Sequence, residues 1–181
     1  MLKKIIELKR MINGEFPLSL LIKRGLKVGK NFSKQSGCYI DPSHCFLITI
    51  GDNVTFSINV TLLAHDASMK NKLDYARIGS IVIGNNCFIG ANSTILPGVE
   101  IGDNSIVGAG SVVTKSIEKN SVYAGVPAKK ICTLETFLEK QKKQMNGTVC
   151  FDESYKYSKK LKKEQIQEMQ EKCINKDCYI K

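Results

Sequence analysis

The chain is short of residues on which several common functions depend. It has no tryptophan, only two histidines and 7% aromatic residues among its 181 residues. Two histidines argue against a zinc site built from three imidazoles, and we expect no metal. The missing tryptophan and sparse aromatic residues argue against the base-stacking surfaces that bind single-stranded nucleic acids.

The sequence also lacks a long apolar run. Its longest runs, such as residues 18–22, fall far short of the ~20 residues that a membrane-spanning helix needs. No secretory signal opens the chain. The seven cysteines are odd in number and form no Cys-x-x-Cys pair, as expected of reduced thiols. We therefore expect a cytoplasmic protein without membrane insertion.

The formal net charge of +10 is unevenly distributed. Residues 1–27 and residues 129–181 each carry a net charge of +5, whereas residues 28–128 carry seven basic and seven acidic groups. A nucleic-acid groove would need its cations in that central part, so we expect no nucleic-acid partner. Basic ends can still attract an anionic small molecule such as a CoA-type phosphate, or an acidic polysaccharide.

Aliphatic residues recur every six positions through the middle of the chain. The series is Ile83, Ile89, Ile95, Ile101, Val107 and Val113. A period of six is neither helical nor a simple strand alternation. It is typical of a hexapeptide parallel β-helix, in which each hexad supplies one short strand and one corner of a three-sided coil. The glycines that follow many of these residues suit corners where backbones approach closely or take unusual dihedral angles.

Weaker copies of the pattern lie upstream. Ile50 begins one phase, continued by Phe56 and Leu62, and Val28 begins another, continued by Ile40. The slips between phases predict loops. The largest, between residues 62 and 78, contains the sequence Ala-His-Asp-Ala-Ser at 64–68, where we expect the functional site.

The flanks have helical patterns. Residues 2–12 have the spacing of an amphipathic helix, and residues 19–23 suit a second one. Beyond Pro127, two helices are predicted at 134–145 and 157–173. We therefore divide the chain into an N-terminal helical cap (1–27), a hexapeptide-repeat β-helix (28–131) and a C-terminal helical extension (132–181).

Several motifs resemble those of the hexapeptide-repeat acetyltransferases, of the maltose and galactoside O-acetyltransferase type. They are Gly90-Ala91, Leu96-Pro97-Gly98, Gly108-Ala109-Gly110-Ser111-Val112-Val113-Thr114-Lys115 and Ala124-Gly125-Val126-Pro127-Ala128-Lys129. Two further segments resemble the branch found in polysaccharide-biosynthesis clusters: Ile40-Asp41-Pro42-Ser43-His44-Cys45 and Leu63-Ala64-His65-Asp66-Ala67-Ser68.

This resemblance implies a left-handed parallel β-helix. Together with the helical patterns of the flanks, the expected fold is all-β with helical caps, with an N-terminal helix and two C-terminal helices. It implies a homotrimer whose active sites lie between subunits, with acetyl-CoA along the coils. The expected activity is O-acetyl transfer to a hydroxyl of a sugar or oligosaccharide acceptor, by direct transfer in a ternary complex.

The resemblance also assigns residues. His65 matches the family's general base, and imidazole suits that role near neutral pH. His44 matches the catalytic histidine of serine acetyltransferases, so it is a second candidate, either as base or as a residue that orients His65. Asp41 and Asp66 are the carboxylates available to hold an imidazole tautomer.

The acetyl-CoA contacts implied by the family fall on Ala91, Ala109, Thr114, Lys115 and Lys129. Two positions depart from the family pattern. Some members have serine where this chain has Ala91, and a basic residue is frequent where it has Cys132.

Other functions stay open at this point. An amino-sugar N-acetyltransferase, a serine acetyltransferase and an antibiotic-modifying enzyme differ from the leading hypothesis only in the acceptor. A non-catalytic β-helical scaffold or polysaccharide-binding protein is the non-enzyme alternative.

Overall fold

Three parallel sheets, visited in rotation, dominate the computed structural model, which describes residues 16–181. Face 1 contains β1 (Lys27–Val28), β4 (Ile48–Ile50), β9 (Ile81–Ile83) and β12 (Glu100–Ile101). Face 2 contains β2 (Ser33–Lys34), β5 (Thr55–Phe56), β10 (Phe88–Ile89), β13 (Ile106–Val107), β15 (Ser121–Ala124) and β16 (Lys129–Thr133). Face 3 contains β3 (Tyr39–Ile40), β6 (Thr61–Leu62), β11 (Thr94–Ile95) and β14 (Val112–Val113). The predicted parallel β-helix is thus present, closed by the antiparallel β15–β16 hairpin.

The six-residue series forms the interior of this coil. None of its six residues is more than 1% exposed. Each stacks on its counterpart in the next coil, for example Ile83 on Ile101 and Ile95 on Val113. Phe56 and Leu62 of the upstream phase are fully buried in the same core, so the inward positions predicted from the sequence are confirmed.

Asparagines turn one corner of every coil. Their side chains form a hydrogen-bonded ladder along the coil axis: Asn31, Asn53, Asn86, Asn104 and Asn120. All five have φ between 55° and 56°, in the left-handed region that asparagine tolerates better than most residues. In each of these hydrogen bonds the side-chain Nδ2 of one asparagine donates to the side-chain Oδ1 of the asparagine in the next coil, which keeps successive coils in register.

A glycine at another corner, between faces 2 and 3, serves a different purpose. A Cβ on Gly90 would lie 2.4 Å from the backbone nitrogen of Ala109 in the next coil. Gly90 therefore permits close approach of two backbones rather than an unusual φ.

Coil length varies, and the extra residues fall at one corner. The asparagine ladder advances by 18 residues from Asn86 to Asn104, but by 22 from Asn31 to Asn53 and by 33 from Asn53 to Asn86. Strand positions put both insertions between face 3 and face 1, a place we call corner 3–1. The shorter insertion includes the 3₁₀ turn Cys45–Leu47. The longer one, residues 63–80, we call the excursion.

The excursion is more ordered than the predicted loop. It contains a two-stranded antiparallel ribbon, β7 (His65–Asp66) with β8 (Arg77–Ile78), and the short helix α2 (Lys70–Leu73). The prediction of a plain loop was wrong because cross-strand pairing depends on residues more than ten positions apart, which no local periodicity reveals.

A helix precedes the first coil along the chain. The first described helix, α1 (Leu18–Lys23), agrees with the prediction for residues 19–23. The helix predicted at residues 2–12 lies outside the described residues. Within residues 16–181, no helix has the length and apolar character required to cross a bilayer.

The chain folds as two compact units, the second running from Glu135 to Lys181. Helix α3 (Leu134–Met145) spans the boundary and has the predicted limits. Helix α4 is confined to Lys163–Lys172, so the prediction of 157–173 was too long. Like charges at Lys156/Lys160 and Lys159/Lys163 disfavour helix there, and Lys160 has a left-handed φ of 54°. The parallel pair β17 (Cys150–Phe151) and β18 (Tyr179–Ile180) completes this unit.

Replacing Gly90 with Ala tests the coil spacing. We expect the variant to lose about 1–3 kcal/mol of unfolding free energy, because the new Cβ must push two coils apart. Urea denaturation measures the loss. Gly147→Ala is the control, because nothing lies within 4 Å of the Cβ position there. Equal stability of both variants would contradict the proposed role of Gly90.

Candidate active site

A buried carboxylate lies at corner 3–1. Asp41, directly after β3, is fully buried and is the one buried acidic side chain among residues 16–181. Its backbone nitrogen donates to Leu62 O (3.0 Å), so the end of β3 is tied to the end of β6 in the next coil. This stacking brings Asp41 beside a histidine that is 24 residues later in the chain.

That histidine is His65. Its Nδ1 lies 2.5 Å from Asp41 Oδ2, a charge-assisted hydrogen bond. The ribbon holds the backbone of His65, which pairs with Ile78. Arg77, next to Ile78 on β8, donates from Nη2 to Pro97 O (3.2 Å), and this bond attaches the excursion to the following coil. His65 is therefore fixed on both its backbone and its side chain.

Backbone donors complete the surroundings of Asp41. The N–H groups of Ser43 and His44 donate to Asp41 Oδ1 at 3.0 and 3.3 Å. Burial alone would raise the pKa of Asp41, but the hydrogen bond from His65 and these backbone donors outweigh burial and hold its pKa below the ordinary value. Asp41 is accordingly ionised at neutral pH, despite being buried.

An ionised Asp41 decides which nitrogen of His65 carries the proton. A carboxylate only accepts hydrogen bonds, so Nδ1 must donate, and in the neutral form of the ring Nε2 carries the lone pair. The His65 side chain is 34% exposed, so solutes can reach the ring. Such an arrangement can act chemically as an oriented base.

His44 joins the same cluster. Its Nδ1 is buried without a hydrogen-bond partner and lies 3.4 Å from Asp41 Oδ2, and its ring centroid is 4.9 Å from that of His65. Both candidate histidines therefore meet at one carboxylate. Asp66, the other candidate carboxylate, instead accepts from the N–H of Ser68 at 2.9 Å and caps its own turn.

The cluster also has the composition of a metal site. Ligand atoms of Asp41, His44 and His65 lie within 4.8 Å of one another. Two ligands of one tetrahedral zinc ion, with bonds of about 2.0–2.2 Å, stand about 3.3 Å apart. The 2.5 Å contact between His65 and Asp41 is shorter, which fits a hydrogen bond better than shared metal ligation. The expectation of no metal stays a prediction.

The five expected CoA-contacting residues occupy three places. Thr114 and Lys115 follow β14 at corner 3–1, two coils beyond His65. Ala91 and Ala109 follow β10 and β13, at the corner between faces 2 and 3. Lys129 begins β16 in the terminal hairpin. Thr114, Lys115 and Lys129 are all exposed.

Sequence reasoning missed Phe46, whose ring centroid lies 6.0 Å from that of His44. The signal that could have found it was an aromatic residue two positions after a candidate histidine, inside the aperiodic insertion.

Comparisons with known proteins agree with this fold. Residues 80–115 match the model described as the hexapeptide repeat of succinyl-transferase. This part of the chain therefore contains a hexapeptide repeat. This confirms the resemblance inferred from the motifs.

Individual relatives make the likeness specific. A protein named CapG from Staphylococcus aureus is 48% identical over 99 residues, covering 52% of this chain and 58% of that protein. Galactoside O-acetyltransferase from Escherichia coli is 42% identical over 122 residues, covering 65% and 58%. The crystal structure of a maltose O-acetyltransferase from Clostridium difficile is 40% identical, with a TM-score of 0.52, covering 59% of this chain and 57% of that one. The chain thus spans under two thirds of the length of these relatives.

Replacing Asp41 with Asn tests the buried charge. We expect a loss of about 1–3 kcal/mol in unfolding free energy at pH 7, because the charge-assisted bond to His65 becomes a neutral one. The pKa of Asp41 is lowered in the folded state, so its contribution is present above the ordinary carboxyl pKa of about 3.9 and is lost as pH falls through the lower folded value.

Urea denaturation between pH 3 and pH 7 measures the effect, with the difference between variant and wild type shrinking below about pH 4. Asp66→Asn serves as the control, and its effect at pH 7 should be smaller since Asp66 holds no imidazole. A difference that does not depend on pH would rule out a charged Asp41.

Proposed function

We propose that the protein is an acetyl-CoA-dependent O-acetyltransferase that acts on a hydroxyl of a sugar or polysaccharide precursor, with His65 as general base. The hydrogen bond of 2.5 Å between His65 Nδ1 and Asp41 Oδ2 carries this proposal. It leaves Nε2 of a solvent-accessible imidazole free to take a proton. The acetyltransferase names of the relatives support acetyl as the group transferred.

The reaction is a direct transfer in a ternary complex. His65 Nε2 takes the proton of the acceptor hydroxyl while the oxygen attacks the acetyl carbonyl carbon. The tetrahedral intermediate collapses with cleavage of the C–S bond, and the imidazolium returns its proton to the departing CoA thiolate. Asp41 keeps His65 in the required tautomer and stabilises the imidazolium by charge.

Acetyl-CoA is the proposed cosubstrate, lying along the coils from His65 towards the C-terminal end of the β-helix. Thr114 and Lys115 stand at the same corner as His65, and their exposed side chains suit phosphate oxygens. Lys129 would add a second cation, while backbone groups at Ala91 and Ala109 would contact the pantetheine arm. The lack of a serine hydroxyl at Ala91 leaves only backbone donors there for the oxyanion.

His44 is proposed as a positioning residue rather than the base. Its Nδ1 stands 3.4 Å from Asp41 Oδ2, farther than the 2.5 Å of His65, and Asp41 already directs the His65 tautomer. Packed against the His65 ring, His44 would restrict its rotation. His44→Ala should therefore reduce turnover less than His65→Ala does.

A left-handed coil and a homotrimer with active sites between subunits are also proposed, on the resemblance to the family. We expect multi-angle light scattering to give three times the chain mass of 20.1 kDa. A monomer at catalytic concentrations with full activity would contradict shared active sites.

Replacing His65 with Ala tests the base. We expect acetyl transfer to fall by about 10²–10⁴-fold, because the group that takes the hydroxyl proton is removed. Thiol release from acetyl-CoA, measured over a panel of mono-, oligo- and nucleotide sugars, gives the rate, and calorimetry with CoA should show unchanged binding. Asn71→Ala, in helix α2 of the same excursion, is the exposed control and should keep wild-type turnover. Unchanged turnover in His65→Ala would remove His65 from the mechanism.

A further inference from the structure

Phe46 presents an aromatic ring to solvent at corner 3–1. The side chain is 55% exposed, although its neighbours Cys45 and Ile48 are fully buried. Single exposed apolar residues are ordinary on protein surfaces, so exposure alone indicates nothing. Phe46 differs from the other exposed apolar side chains in how its backbone is held and in how close its ring lies to the histidines.

The backbone beneath the ring is held tightly. Phe46 is the middle residue of the 3₁₀ turn Cys45–Leu47, whose two flanks enter the core. On the other side lies Gly25, with φ of 104°, where an added Cβ would come 2.8 Å from Phe46 Cβ. The outward direction of the ring is thus set by the packing of its own turn against Gly25.

The ring of Phe46 also lies next to the cluster of Asp41, His44 and His65. Its centroid lies 6.0 Å from that of His44, which lies 4.9 Å from that of His65. The ring of His44 is thus close to both the ring of the proposed base and the exposed ring of Phe46. An acceptor that lies against Phe46 would therefore be near His65.

We propose that Phe46 is the stacking face for the acceptor and that it selects cyclic sugars over acyclic hydroxyl compounds. A pyranose has a face rich in C–H groups and a rim of hydroxyls, so one side can cover an aromatic ring while a hydroxyl reaches a base. Serine, an acyclic acceptor, has no such face. The inference rests on the proposed function and specifies the acceptor class of that site.

The absence of tryptophan makes a direct binding test possible. Phe46→Trp introduces the chain's single indole. We expect its fluorescence to change saturably with methyl β-galactopyranoside, methyl α-glucopyranoside or N-acetylglucosamine, but not with L-serine. The matched control is Phe88→Trp, at a 43% exposed phenylalanine on face 2, which should not respond to any of them.

Steady-state kinetics adds a second measurement. Phe46→Ala should raise the KM for the sugar acceptor found in the screen by about 2- to 13-fold, the range expected for loss of one aromatic stacking contact. The KM for acetyl-CoA should not change, and Phe46→Trp should keep or lower the KM for the sugar. Phe88→Ala should leave both constants unchanged.

These outcomes separate the inference from the proposed function. Fluorescence reports sugar binding whether or not acetyl is transferred, so a response without turnover supports the stacking face and counts against the activity. The inference is overturned if the fluorescence of the Phe46→Trp variant changes with none of the three sugars, or if it changes equally with L-serine. It is likewise overturned if Phe46→Ala changes the oligomeric mass, because the ring then packs against a second copy of the chain.

Discussion

Stacking of one coil on the next is the constraint on which the rest of this structure depends. A single turn of the β-helix buries almost nothing by itself, so each coil must place its aliphatic residues directly over those of its neighbour. The asparagine ladder and the close contact at Gly90 show how tightly that register is held. Any insertion must leave the coil at a corner, because an extra residue within a strand would turn its core side chain outward.

Corner 3–1 receives both insertions, and the site forms there. The first coil contributes Asp41 and His44, and the second contributes His65 from the excursion. Because the coils stack, Asp41 of one coil lies beside His65 of the next. The rigid coil therefore supplies the precise geometry, while the inserted segments supply chemistry that a regular hexad of aliphatic residues does not contain.

The buried charge of Asp41 is held by hydrogen bonds, including one between the stacked coils. A carboxylate without solvent is costly unless donors surround it, and here an imidazole and two backbone N–H groups do so. Those same donors make Asp41 a fixed negative charge that orients His65. One set of hydrogen bonds thus both satisfies the buried carboxylate of Asp41 and orients the imidazole of His65.

The sequence by itself determined the β-helix, its inward-facing residues and helices α1 and α3, because the six-residue period and the local helical patterns are written in neighbouring residues. It also singled out both histidines, since they interrupt that period. Only the tertiary structure decided between Asp41 and Asp66 as the partner of His65, revealed the ribbon within the excursion and set Phe46 beside His44. Each of these depends on contacts between segments in different coils or strands, and the number of residues inserted between them carries no local signal of which atoms will meet.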